Sequence, residues 1–166
     1  MTCITFKGTP INTLGTLPEV GTKAIDFQLT ATDLSTQTLA DFAGENCILS
    51  IFPSLDTQTC ANSVETFSQR LAQESHLRIL CISRDIPFAQ GRFAASKNIE
   101  NIHFLSDFKT GQFGRDYGLE IVDGPLAGLL SRCVIAIDAS GTIRYTQQVA
   151  EVAEEPDYTA AFDSLK

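Results

Sequence analysis

Two continuous apolar runs and the periodic segment between them organise the first half of the chain. Residues 47–52 and 77–82 are almost entirely apolar, which is typical of strands covered on both faces. Between them, apolar residues recur at spacings of three and four, which predicts an amphipathic helix over residues 61–71. A strand, a helix and a strand in this order form a βαβ unit. The sequence therefore predicts parallel neighbouring strands joined by a right-handed crossover.

Shorter patterns predict the remaining elements. Residues 2–7 and 11–14 flank a Gly-Thr-Pro turn and predict an N-terminal β-hairpin. Residues 131–137 and 142–149 flank the turn Asp-Ala-Ser-Gly and predict a second hairpin. The other predicted elements are a strand at 26–31, a helical turn at 39–42, helices at 88–96 and 156–165, a strand at 102–105 and helical turns at 110–117. Together these elements predict a single α/β domain over residues 1–166.

Composition and charge exclude several classes of protein. The 166 residues are 43% apolar and 19% charged, which is ordinary for a globular domain. The net charge of −8, without any cluster of Lys or Arg, argues against binding to nucleic acid. Apolar stretches are too short to span a bilayer, and the N-terminus lacks the pattern of a signal peptide. We expect a soluble, cytoplasmic protein.

The cysteines do not form a metal-binding or disulfide pattern. The chain has five, an odd number, and no Cys-x-x-Cys spacing. We expect free thiols in a reducing compartment. Cys47, Cys81 and Cys133 lie in apolar strands and are interpreted as core residues, whereas Cys3 lies on an edge strand and is expected to be more exposed.

Cys60 is the cysteine best placed for chemistry, because it lies at the start of the predicted helix. There, unpaired backbone N–H groups and the helix dipole favour a negative charge. A free thiol is only about 3% thiolate at pH 7. Ionising about 90% of it requires roughly 3.4 kcal/mol, whereas a helix terminus supplies at most about 2 kcal/mol. A further group must therefore stabilise the thiolate.

Three residues are candidates to cooperate with Cys60. Arg132 opens an apolar strand, where a charged side chain needs a reason to be tolerated, and strand alternation directs it away from the face of Cys133. Thr57 could orient its hydroxyl toward the sulfur, and Pro53 could shield it from water. Each has a structural alternative: Arg132 pairs with a surface carboxylate, Thr57 caps the helix, and Pro53 only ends the strand.

The spacing Pro-x-x-x-Thr-x-x-Cys over Pro53, Thr57 and Cys60 resembles the active-site signature of the peroxiredoxins. Similarity to the bacterial thiol peroxidase subfamily, of the atypical two-cysteine type, continues in four blocks: residues 51–57, 81–90, 123–128 and 155–158. The resemblance implies a thioredoxin-like fold with a central mixed sheet, flanking helices and an N-terminal β-hairpin. It also implies a homodimer assembled near the active sites.

The same resemblance implies a function and roles for the site residues. Cys60 would be the peroxidatic cysteine, which reduces hydrogen peroxide and organic hydroperoxides and becomes a sulfenic acid. Thr57 and Arg132 match the family's positions that hold thiolate and peroxide, and Pro53 matches its shielding proline. Thioredoxin is the expected electron donor, and the reaction needs no metal or organic cofactor.

The chain departs from the family at Ala94, where the resemblance implies a resolving cysteine. Either the natural protein has alanine there, or an engineered change has replaced a cysteine. Without that thiol, the usual disulfide with Cys60 cannot form and the resolving step is impaired or altered. Two other hypotheses about function are open. The protein could be a non-enzymatic peroxide sensor or redox interaction module, or it could be a purely structural domain.

Overall fold

The computed structural model describes residues 1–74 and 76–166. The strands are β1 (Thr2–Phe6), β2 (Thr9–Thr13), β3 (Gln28–Ala31), β4 (Thr36–Thr38), β5 (Asn46–Ile51), β6 (Leu77–Ser83), β7 (His103–Ser106), β8 (Cys133–Ile137) and β9 (Ile143–Gln148). The helices are α1 (Gln58–Leu71), α2 (Pro87–Lys97), α3 (Gln112–Asp116) and α4 (Tyr158–Asp163), with a 3-10 turn at Leu39–Phe42. Within the described residues, no helix is long and apolar enough to cross a membrane.

The main sheet is mixed and has the strand order β4-β3-β7-β6-β5-β8-β9. Strands β5, β6 and β7 are parallel neighbours, so the predicted βαβ unit is confirmed. On the other side of β5, strand β8 runs antiparallel to it and forms a hairpin with β9. The N-terminal hairpin β1-β2 is a separate two-stranded sheet. This is the α/β, thioredoxin-like architecture expected from the sequence.

Element boundaries differ from the predictions where polar residues form local structure. Helix α1 begins at Gln58 instead of residue 61, because its first turn is polar and adds nothing to the apolar periodicity. Helix α4 begins at Tyr158 instead of residue 156, because the Asp157 carboxylate accepts a hydrogen bond from the Ala160 N–H and caps it there. Strand β4, which is polar and three residues long, was not predicted.

Alternating side chains of the central strands fill two core layers, one on each face of the sheet. The layer beneath α1 and α4, here called the Cys60 cluster, includes Ile48, Cys60, Val64, Phe67, Val134 and Phe162. The layer on the opposite face includes Cys47, Leu49, Leu80, Phe113, Cys133 and Ile135. Residues of β8 therefore contribute alternately to the two layers, and Cys133 lies in the layer without Cys60.

The N-terminal hairpin buries its own small core against loops of the main body. Ile4 and Ile11 pack with Ile121 and Val152 in a third cluster, separate from the two sheet layers. Because Val152 belongs to the loop after β9, the hairpin covers the end of the sheet where β8 begins.

Candidate active site

Cys60 is the third residue of α1 and is fully buried. A short loop that contains the buried Pro53 follows strand β5. Thr57 ends this loop and is the N-cap residue of α1, with an extended backbone conformation. The sulfur thus lies beside the first helical turn, whose N–H groups have no partner within the helix. The predicted position of Cys60 at a helix start is observed.

The hydroxyl of Thr57 is directed to the sulfur of Cys60 and not to the helix backbone. Its Oγ1 lies 2.7 Å from Cys60 Sγ and 3.1 Å from the Ser54 carbonyl oxygen. The Thr57 side chain makes no hydrogen bond to cap α1. Of the two interpretations of Thr57, the geometry therefore fits contact with the sulfur.

Arg132 reaches the same sulfur from the residue before β8. It is only 3% exposed, its Nη2 donates to Cys60 Sγ at 3.2 Å, and its Nε donates to the Val152 carbonyl at 2.8 Å. Among the described residues, the buried Nη1 has no hydrogen-bond partner and no carboxylate lies within salt-bridge distance of the guanidinium. Pairing of Arg132 with a surface carboxylate is therefore not what the structure shows.

A buried guanidinium without a carboxylate needs another source of negative charge. Burial of an uncompensated cation is costly, because the core cannot replace the water that solvated it. The side-chain partner of the guanidinium is Cys60 Sγ, and Arg132 and Thr57 would both donate to a thiolate formed there. This electrostatic arrangement supports chemistry in which Cys60 is a nucleophile.

Among the described residues, no arginine donates to the sulfur of the other buried cysteines, although the Ser131 hydroxyl lies 3.2 Å from Cys133 Sγ. Burial raises the pKa of the Cys47 and Cys133 thiols to about 12, and it also raises the pKa of the Cys81 thiol. All three are therefore protonated at neutral pH and behave as small core residues, as predicted. Cys3 is exposed, also as predicted.

Asp85 supports the loop that carries Pro53 and Thr57, and reasoning from the sequence did not select it. Its carboxylate accepts hydrogen bonds from Ser54 Oγ at 2.7 Å and from the Leu55 N–H at 2.8 Å. The only local signal is an aspartate at the end of an apolar strand just before a helix. Its partners come from a loop about 30 residues away, so pattern reasoning could not connect them.

Ala94 lies in α2, and its half-buried side chain packs against the Cys60 cluster. The position implied for a resolving cysteine is therefore beside the core layer that contains Cys60. A methyl group at this position provides no thiol.

A cavity of about 410 Å³ lies beside β3 and α3 and is lined by residues such as Gln28, Asp107 and Phe113. Neither Cys60 nor Arg132 lines it. The contacts to the sulfur identify the candidate site.

The chain is similar in sequence to a known family over most of its length. The family model described as Redoxin matches residues 19–162. Thiol peroxidases of Mycobacterium tuberculosis (strain H37Rv) and Mycobacterium bovis are each 47% identical to it over 165 residues, covering 99% of this chain and 99% of each relative.

Solved structures show the same architecture. A peroxiredoxin-like protein from Aquifex aeolicus superimposes with a TM-score of 0.92 at 32% identity, covering 98% of this chain and 95% of that one. A thiol peroxidase from Chromobacterium violaceum gives a TM-score of 0.91 at 21% identity, with 97% and 93% covered. At this lower identity the second likeness shows the fold alone.

Replacement of Arg132 tests the electrostatic argument. Arg132→Met should shift the ionisation equilibrium of the Cys60 thiol toward the protonated form by a factor of about ten or more. The thiolate absorbance near 240 nm, with Cys60→Ser as the blank, measures this shift. A hydrogen bond to a charged group contributes roughly 1.5–3 kcal/mol, and about 1.4 kcal/mol is a factor of ten. Arg144→Met, which removes an exposed arginine, is the matched control. Equal thiolate absorbance in both variants would contradict the argument.

Proposed function

The chain belongs to the Redoxin family, as a thiol-dependent peroxidase of the peroxiredoxin type, and on this premise we propose that Cys60 is its peroxidatic cysteine. The substrates would be hydrogen peroxide and organic hydroperoxides. The observation that carries the proposal is the double contact to Cys60 Sγ, from Thr57 Oγ1 at 2.7 Å and Arg132 Nη2 at 3.2 Å.

The reaction is a nucleophilic displacement at peroxide oxygen. The Cys60 thiolate attacks the terminal oxygen, an S–O bond forms, and the O–O bond breaks. The leaving oxygen takes the electron pair of the O–O bond, is protonated by solvent, and departs as water or an alcohol. Sulfur is oxidised to a sulfenic acid and the peroxide is reduced, so the electrons balance.

The residues around Cys60 have distinct roles in this proposal. Arg132 Nη1, a buried donor without a partner among the described residues, can donate to a peroxide oxygen while Nη2 stays on the sulfur. Thr57 can pass its hydroxyl hydrogen bond between the sulfur and that oxygen. Such preorganised donors stabilise charge that develops in the transition state. The buried Pro53 would exclude water from the thiolate.

The reduction of the Cys60 sulfenic acid back to a thiol, which completes the catalytic cycle, depends on position 94. With Ala94, the Cys60 sulfenic acid cannot form a disulfide within α2, so an external thiol must reduce it or it is oxidised further to sulfinic acid. We propose thioredoxin as the ordinary electron donor and a reducing cytoplasm as the compartment, which suits five free cysteines. No metal or organic cofactor takes part in the proposed steps.

We also propose a homodimer assembled near the active sites. Apolar side chains at the start of α2 and after β7 are exposed, with Ile86 at 50%, Phe88 at 67% and Phe108 at 42%. The two segments are adjacent, because Ser106 Oγ donates to the Asp85 carbonyl at 2.5 Å. Sedimentation velocity tests this proposal, and a species that stays monomeric at micromolar concentration would exclude it.

A second candidate function is a peroxide sensor that passes oxidation to a partner protein. The observation that favours it is Ala94, because a sulfenic acid without a resolving thiol persists longer. In a sensor, each sulfenic acid formed at Cys60 is reduced by the partner protein. Thioredoxin, thioredoxin reductase and NADPH would therefore not support repeated reduction of peroxide. Steady consumption of NADPH with peroxide would favour the enzyme.

Stopped-flow kinetics test the proposed reaction. A free thiol is about 3% thiolate at pH 7, and only the thiolate reacts with peroxide. A fully ionised Cys60 should therefore react with hydrogen peroxide at least about 30 times faster than a free thiol. Hydrogen bonds to the leaving oxygen should add to this factor. Mass spectrometry should show one added oxygen, absent from Cys60→Ser. A rate equal to that of a free thiol would exclude the proposal.

Restoring a thiol at position 94 tests the interpretation of the resolving step. Ala94→Cys should produce an intramolecular disulfide with Cys60 after one equivalent of peroxide, and turnover with thioredoxin should rise. Ala95→Cys is the matched control, because Ala95 is the next residue of α2 and is exposed. If both variants stop at the sulfenic acid, position 94 is not the resolving position of this chain.

A further inference from the structure

The loop that follows β9 connects the N-terminal hairpin to Arg132. On the hairpin side, the Thr5 N–H donates to the Ala150 carbonyl at 2.7 Å and the Val152 N–H donates to the Thr5 carbonyl at 2.8 Å. On the other side, the Val152 carbonyl accepts from Arg132 Nε at 2.8 Å. The same peptide segment therefore pairs with β1 and orients the guanidinium.

The carboxylate of Glu151 fastens this segment to the hairpin. It accepts hydrogen bonds from Thr5 Oγ1 at 2.8 Å and from the backbone N–H groups of Lys7, Gly8 and Ala153, each at 3.0 Å. The backbone bonds from Gly8 and Ala153 lower the pKa of Glu151 to about 2. The side chain is therefore ionised at neutral pH, and all four donors face a full negative charge.

Two neighbouring contacts hold the segment at the site. The Val152 side chain is 2% exposed and packs with Ile4 and Ile11 of the hairpin. One residue later, the Ala153 carbonyl accepts from Thr59 Oγ1 in the first turn of α1 at 3.0 Å. The segment thus contacts both the guanidinium and the helix start that carries Cys60.

We propose that Glu151 is a positioning residue for the peroxidase reaction: through it, the N-terminal hairpin fixes the Val152 carbonyl that orients the Arg132 guanidinium toward Cys60. Glu151 touches neither the sulfur nor a substrate, and it acts through Arg132. The inference rests on the proposed function, because it assigns a role in the reaction of Cys60 with peroxide.

The physical reason is the direction of the guanidinium hydrogen bonds. The guanidinium group of Arg132 is planar and rigid, so the hydrogen bond from Nε to the Val152 carbonyl also sets the directions of Nη1 and Nη2. If the segment shifts, Nη2 leaves the sulfur and Nη1 leaves the position of the incoming oxygen. A misplacement of about 1 Å in a reacting group, caused by a substitution far from the reacting atoms, can lower a rate by about 100-fold.

Glu151→Gln is the principal variant, because it keeps the side-chain shape and removes the charge. We expect its second-order rate constant with hydrogen peroxide to fall about tenfold at a temperature where circular dichroism shows it folded. Asp123→Asn is the matched control. Asp123 also holds the hairpin, accepting from the Asn12 N–H and Nδ2 at 2.7 Å each, but its hydrogen-bond partner among the described residues lies on β2 and not in the segment of Val152. Its rate constant should equal that of the unaltered protein.

A double-mutant cycle separates positioning from general stability. In an Arg132→Met background, Glu151→Gln should cause no further fall in the rate constant, because the group through which it acts is absent. A merely structural role would lower the rate in both backgrounds and would overturn the inference.

The remaining outcomes are also decisive. If the unaltered protein reacts no faster than a free thiol, the proposed function fails. If it reacts rapidly and Glu151→Gln reacts equally fast, only the positioning role fails. If Glu151→Gln does not fold, Thr5→Val, which removes one donor to the carboxylate, takes its place. An unchanged rate in Thr5→Val would then overturn the inference.

Discussion

The contact between a buried cation and a buried sulfur is the interaction on which this structure depends. Arg132 is almost fully enclosed, and among the described residues no carboxylate neutralises it. Its side-chain hydrogen-bond partner is the Cys60 sulfur, which would carry the compensating negative charge in the proposed reaction. The antiparallel pairing of β5 with β8, in which Ile51 lies opposite Cys133, brings the two residues together from positions 72 apart in the chain.

Burial by itself does not distinguish Cys60 from the other cysteines. Cys81 and Cys133 are also fully buried, and burial raises the pKa of both of these thiols. What distinguishes Cys60 is the combination of a helix start, a hydroxyl and a guanidinium around one sulfur. Strand alternation is essential to this difference, because it turns Cys133 to the opposite core layer although it follows Arg132 directly.

Much of the fold and the central site residues could be predicted from the chain alone. Apolar patterns and turn residues located the βαβ unit and both hairpins, and the segment from Pro53 to Thr57 marked the start of the helix with Cys60. The failures have a common cause. The first turn of α1 and strand β4 are polar, so they carry no periodic signal. Asp85 and Glu151 bind backbone groups from distant segments, and such partners leave no local pattern.

The sequence by itself determined which residues could react: a cysteine at a helix start, and an arginine whose place in an apolar strand required an explanation. It also determined that no thiol stands at position 94. Only the tertiary structure decided that Thr57 and Arg132 contact the sulfur and that the Val152 carbonyl directs the guanidinium. The physical reason is that apolar patterning specifies which face of an element is buried, whereas hydrogen-bond direction depends on which elements become neighbours.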